Sequence, residues 1–185
     1  MIQSHQPVER IFDIAEIKPM DEAEMRSFFE HAFASQDMTI DEGALRTLIF
    51  YGAGYPKIMH ILGDAAFWID KDRKIDEGDA ISAVLAAAED VGRKFVDQQV
   101  LAALRSKDYR SILAKLARTE FDLTFRKSDL IKGLSETERK KFNNFLQKMK
   151  KLNVLKAGDE FGRYVFTSHL VRLYIRLNSA EISKA

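Results

Sequence analysis

The chain has 185 residues, 46% of them hydrophobic and 31% charged, with no cysteine and a formal net charge of +1. That length supports one large or two small domains, each with its own core. The absence of cysteine excludes disulfides, thiolate metal sites and cysteine nucleophiles; no run reaches membrane-spanning length, and Met1 to Glu9 lack a signal-peptide apolar segment, so a cytoplasmic protein with no membrane partner is expected.

The small net charge hides an asymmetry. Met1 to Leu104 carries 10 Lys+Arg against 19 Asp+Glu, whereas Arg105 to Ala185 carries 19 against 9. A step of that size points to two modules, the basic one a candidate for nucleic acid; the alternative is that the halves attract each other or that the surplus is simply solvated.

In chain order, Ile11-Phe12-Asp13-Ile14-Ala15-Glu16-Ile17 alternates and reads as a short strand stopped by Pro19, with no evident partner. Asp21 with Glu24 predicts a capped helix whose apolar face is Met25, Phe28, Phe29, Ala32 and Phe33. Met38-Thr39-Ile40 reads as a connector, and Asp41 as the cap of a helix burying Leu45, Leu48 and Ile49. Gly52-Ala53-Gly54-Tyr55-Pro56-Lys57 is a turn that launches a further helix, because Pro56 suits a first helical position; Ile58, Leu62, Ala65 and Ile69 are its expected buried stripe. After the charged loop Asp70 to Lys74, a long helical pattern runs from Asp76 through Ile81, Val84, Leu85, Ala88, Val91, Phe95, Val100 and Leu104, with Gly92 its expected bend or break.

The basic half predicts a helix capped by Asp108, a short strand at Leu123-Thr124-Phe125 and a brief helix capped by Ser128. A third helix follows, with Ser135 and Glu138 as a capping box and Phe142, Phe145, Leu146, Met149 and Leu152 as its core stripe. Val154 to Ala157 and Tyr164 to Thr167 flank a glycine-bearing turn and read as a hairpin, and a last helix runs from Ser168 through Leu177. Helix, strand, helix, helix, hairpin is the order of a winged helix. The predicted fold is therefore mainly α, a helical bundle followed by a winged-helix domain (helix-turn-helix with a β-hairpin).

The Gly-Tyr-Pro launch at residues 54–56, the acidic helix from Asp41 to Tyr51 and the stretch Ile61-Leu62-Gly63-Asp64-Ala65-Ala66-Phe67-Trp68 resemble the small helical lid of AAA+ ATPases, closest to archaeal and bacterial members related to origin-recognition initiators. Arg10-x-Phe12-x-Ile14-x-x-Ile17-x-Pro19 is similar to that family's segment leaving the ATPase core. Val165-Phe166-Thr167-x-x-Leu170-x-Arg172-x-Tyr174-x-Arg176 resembles the end of its C-terminal winged helix. The resemblance implies that residues 1–19 are a remnant strand from an ATPase core upstream, 20–92 the lid, 93–105 a linker helix and 106–185 the winged helix. It also implies that Gly54 and Lys57 stand where the family has its phosphate-sensing Gly-x-x-Arg, with lysine as a point charge in place of the guanidinium fork. ATP and magnesium are implied for the parent protein, with nucleotide state coupled to DNA binding through the linker near Gly92.

The residues set the chemistry beside that resemblance. No Gly-x-x-x-x-Gly-Lys-Ser/Thr and no apolar strand ending in an acidic pair occur, so this chain by itself is expected to be no enzyme and to hold no cofactor. His60 and Asp64 lie one helical turn apart, but two ligands do not make a metal site. The third basic-half helix turns Thr137, Lys140, Asn144, Gln147, Lys148 and Lys151 away from its core stripe, which joins cations for phosphates to amides able to read base edges of double-stranded DNA. Lys156 and Arg163 on the hairpin, with Arg126 and Lys127 before the second helix, would add phosphate contacts. The alternatives are a winged helix that grips a protein partner and a stand-alone transcription regulator.

Overall fold

In the computed structural model, residues 18–119 and 123–184 are described; the strand expected at 11–17 lies outside them. Asp21 opens α1 (Glu22–Ala34) through reciprocal bonds with Glu24, Asp21 Oδ1 accepting from the Glu24 N–H at 2.8 Å and Glu24 Oε2 from the Asp21 N–H at 2.9 Å. A cap of this kind stabilises a helix by about 1 kcal/mol. β1 (Thr39–Ile40) then pairs in parallel with β2 (Lys74–Ile75), a two-residue ladder where only a connector and a charged loop were expected. Such short strands carry too few residues to show alternation. Asp41 precedes α2 (Glu42–Gly52) without a side-chain cap bond and instead pairs with Lys74 at 3.1 Å.

The turn after α2 behaves as its glycines suggest. Ala53 is left-handed at φ 50°, Gly54 follows at φ 79°, and Pro56 takes the first position of α3 (Pro56–Ile69). The buried line of α3 is Met59, Leu62 and Ala66: Leu62 is buried as expected, while Met59 and Ala66 take the places expected of Ile58 and Ala65, which with Ile69 are half-buried at its edges. A second capping box, Asp76 with Asp79, starts α4 (Glu77–Val91). Its small residues Ala80, Ala83, Ala87 and Ala88 face α2 and α3. Ile81 and Leu85, predicted in the core, are 49% and 44% exposed, because the alanines let neighbouring helices approach on the other side.

At Gly92 the helix does not break. It continues as a π-helix over Gly92–Leu101, a rare pattern in which each backbone hydrogen bond spans one residue more than in an α-helix. Ser106, not Asp108, holds the N-cap position of α5 (Lys107–Ala117), without a side-chain cap bond, and the Asp108 carboxylate is taken by Lys141. β3 (Thr124–Arg126) leads directly into α6 (Lys127–Lys132), so Arg126, not Ser128, is its cap residue. α7 (Glu136–Lys151), β4 (Leu155–Ala157), β5 (Arg163–Phe166), α8 (His169–Leu177) and α9 (Ser179–Lys184) complete the order. β5 is the central strand of an antiparallel sheet ordered β3-β5-β4. Among the described residues the fold is mainly α with two small sheets, and no helix is long and apolar enough to cross a membrane.

Two apolar cores form. One gathers Phe29, Leu45, Leu48, Met59, Leu62 and Ile75 with the alanines of α4. The other gathers Val96, Val100, Ile112, Phe142, Phe145 and Met149 with Phe166. Helix α8 serves both, since Leu170 is buried in the first while Val171, Tyr174 and Ile175 are buried in the second. The Tyr174 ring lies against Gly92, where an added Cβ would stand 2.1 Å from its Cγ, and its hydroxyl donates to Asp97 Oδ2 at 2.8 Å. Burial and the Asp97 carboxylate push that hydroxyl up to about 12.

Gly92 is therefore a notch for an aromatic ring. Gly92→Ala is expected to lower stability by about 3 kcal/mol, the strong end of overpacking, in urea unfolding. The control Gly63→Ala, whose Cβ would meet only Phe29 at 3.7 Å, should be neutral or stabilise by up to about 1 kcal/mol through helix propensity.

Candidate functional site

The basic half builds its surface on α7, so what fixes α7 fixes the surface. Ser135 caps it, and Glu138, only 3% exposed, closes the box by accepting from the Ser135 N–H at 2.7 Å. The same carboxylate accepts from Lys115 Nζ at 2.7 Å and Ser111 Oγ at 2.6 Å, which ties α7 to α5. Burial alone would push the Glu138 carboxyl up, but the bonds from Lys115, Ser111 and the Ser135 N–H outweigh it and hold the group at about 2. Arg139 fastens the turn before α7, donating through Nε to the carbonyls of Ile131 and Leu134 at 3.1 and 2.9 Å. At the other end Asn153 is left-handed at φ 55°, and its carbonyl accepts from the Thr167 hydroxyl at 2.6 Å, which sets the entry to β4.

With Phe142, Phe145, Leu146 and Met149 buried, α7 turns a polar face outward. Thr137, Lys140, Asn144, Gln147 and Lys151 are exposed there together, and Asn143 joins them although the sequence reading passed over it. Lys140 pairs with Glu136 at 2.9 Å, and Glu136 is the only carboxylate on the exposed side of the helix. Lys148 is half-buried at the edge of this face, beside Arg105 and Tyr109.

The sheet contributes a second cationic surface. Strand alternation sends Phe125, Tyr164, Leu155 and Phe166 to one side and Arg126, Lys156 and Arg163 to the other. The first set packs, with the Phe125 and Tyr164 rings stacked at 5.7 Å. In the second set, Arg126 and Arg163 sit directly opposite each other across β3 and β5, and both reach the carboxylate of Glu160. Lys127 is half-buried, and its N–H donates to the Gly162 carbonyl at 2.9 Å. The hairpin tip carries Phe161, fully exposed, a feature the sequence reading missed. Its signal was available: an aromatic set between Glu160 and Gly162 in a turn has no helix or strand face to bury it.

Gly54 and Lys57 lie apart from these surfaces, on the bundle of the first core. The Gly54 N–H donates to Met25 Sδ at 3.0 Å and its carbonyl accepts from the Met20 N–H at 2.9 Å. A Cβ there would stand 2.6 Å from the Met20 carbonyl oxygen, so Gly54 is needed for close passage of the chain. Lys57 is exposed on the first turn of α3 and has no ion-pair partner among the described residues. Among the described residues no three His, Asp or Glu side chains gather as a metal site.

No protein-family model matches the chain, and no curated protein matches it by sequence. Among solved structures, a Walker-type ATPase of Pyrococcus abyssi superposes on 86% of this chain with a TM-score of 0.62 at 18% identity. The chain spans 43% of that protein's length, and the likeness is one of fold.

The sign of the Glu138 shift gives a pH test. A carboxyl that titrates at about 2 when folded, against an ordinary 4.5, binds protons more weakly in the folded chain. Its stabilisation is complete above 4.5 and is lost as the pH falls through that window toward 2. Glu138→Gln should cost about 2 kcal/mol at neutral pH, leaving Lys115 without its buried partner, and should flatten the acid limb of the stability profile in urea titrations.

Proposed function

We propose that this chain is the lid and DNA-contacting part of an AAA+-type ATP-binding protein, in which the nucleotide state of an ATPase core alters contact with double-stranded DNA. The observation that carries the DNA half of the reading is the outward face of α7, where lysines, asparagines and a glutamine stand together and Glu136 alone carries negative charge. The element order α5-β3-α6-α7-β4-β5, with β5 central in the sheet, supports a winged helix over residues 106–185, with α7 the helix that enters the major groove. The likeness to part of a Walker-type ATPase supports the lid reading for residues 20–92, with 93–105 as the connecting helix.

The chemistry divides accordingly. The chain has no phosphate-cradling motif, so ATP and magnesium belong to the core and hydrolysis is not performed here. Lys57, exposed at the start of α3, is the group that would meet a nucleotide phosphate across the lid interface, while Gly54 shapes the turn that presents it. The exposed Phe67 and Trp68 of α3 give the lid an apolar surface for that core. Because α8 is buried in both cores, a displaced lid carries α7 with it as one body and needs no bending at Gly92. The cytoplasm is the fitting compartment.

Titration against a random-sequence DNA duplex at low and moderate salt tests the reading. Each neutralised phosphate adds about 0.9 to the slope of log K on log salt, so binding should weaken with a slope of about −3 or steeper. A Lys140→Glu, Lys151→Glu variant should lose at least about tenfold in affinity, and Phe161→Ala a few-fold with stability unchanged within about 0.5 kcal/mol. Absent or salt-insensitive binding would overturn the reading and favour an apolar protein partner.

A further inference from the structure

Resting on the duplex-binding reading, we infer that Glu160 is an internal competitor for DNA phosphate, a latch that holds Arg126 and Arg163 until a backbone phosphate displaces it. The geometry is that of one anion shared by two guanidiniums. Glu160 Oε2 lies 3.0 Å from Arg126 Nη2, and Glu160 Oε1 lies 3.2 Å from Arg163 Nη1. Arg126 and Arg163 are register partners on adjacent strands, so their like charges face each other and need an anion between them. A carboxylate and a phosphate satisfy guanidinium donors in the same way, through oxygens at hydrogen-bond distance. Asp129, the carboxylate among the residues lining the cavity beside these arginines, is directed at Lys132 at 4.0 Å.

The latch is built to be displaced. All three side chains are solvent-accessible, at 58% for Arg126, 55% for Glu160 and 37% for Arg163, so water weakens the pairs and salt screens them. The carboxylate sits on the same hairpin as Phe161 and Lys156, on the surface that a duplex held by α7 and the hairpin would approach. In the free protein it lowers the positive charge that the sheet presents. On DNA the phosphate replaces it, and the arginines change partner without being left bare. Glu160 thereby reduces general affinity for nucleic acid.

The experiment compares the full chain, Glu160→Gln, the Arg126→Ala, Arg163→Ala pair, and that pair combined with Glu160→Gln, by fluorescence anisotropy on a random-sequence duplex. Glu160→Gln is expected to bind about fivefold tighter at low salt, with the gain shrinking at moderate salt. In the background without the two arginines the same substitution should give no gain. An equal gain in that background would mean a general charge effect and overturn the latch. So would unchanged or weaker binding by Glu160→Gln, including a lowered unfolding temperature with no change in affinity, which is what a purely structural neutraliser predicts. If the unaltered chain binds duplex but Glu160→Gln shows no gain, the latch alone fails. If neither protein binds, the DNA reading fails and the latch with it.

Discussion

Tyr174 packs its ring where residue 92 has no side chain, and the rest of the molecule is arranged around that contact. The ring can approach the backbone this closely only because Gly92 lacks a Cβ, and its hydroxyl is held by Asp97, one π-helical turn further on. Leu170, one turn earlier on the same short helix, is fully buried in the other core. One helix near the C-terminus thus joins an acidic bundle to a basic domain that follows it in sequence. The seam is extended by Phe50, whose ring meets His169 edge-on at 4.2 Å. The two cores thus share one helix and one aromatic lock.

The positive charge of the second half is not all available for a ligand. Lys115 is committed to Glu138, Lys141 to Asp108, and Arg139 to the carbonyls at the end of α6. Arg118 donates to Ser179 at 2.8 Å, and Arg172 to the Thr119 carbonyl at 2.9 Å, which pins α8 and α9 to the end of α5. These cations hold the fold. Other cations stand on the polar face of α7 and the outward side of the sheet, where they are open to solvent or paired with exposed carboxylates, as Lys140 is with Glu136 and Arg126 with Glu160. The cations of the second half thus divide into those that hold the fold and those left on its surface.

Much of this was legible in the sequence. Two capping boxes announced α1 and α7, a helical pattern starting at Asp76 announced α4, and the apolar spacing of α7 showed which of its residues could face outward. The hairpin followed from two β-prone runs flanking a glycine-bearing turn, whereas the central place of β5 in the sheet did not. The misses have local causes. Two-residue strands leave no periodic trace, so β1 and β2 could not be seen. Ile81 and Leu85 look like core residues, but periodicity cannot tell which side of an alanine-rich helix will be approached. Gly92 reads as a weak point in a helix because propensity sees the missing side chain and not Tyr174, which fills the space from more than eighty residues away in sequence. For the surface, sequence placed Lys140, Asn144, Gln147 and Lys151 together but could not show that Arg126 and Arg163 converge on one carboxylate, since that depends on strand register.

The most direct test of the central claim is to map the contact residue by residue, by following backbone amide NMR shifts of the labelled chain as DNA duplex is added. The account predicts shifts concentrated on the outward positions of α7, at Lys140, Asn143, Asn144, Gln147 and Lys151, and on the hairpin from Lys156 to Arg163, with α1 to α3 unmoved. Shifts centred on α3 around Lys57 and Trp68, or spread evenly with no cluster on α7, would contradict it.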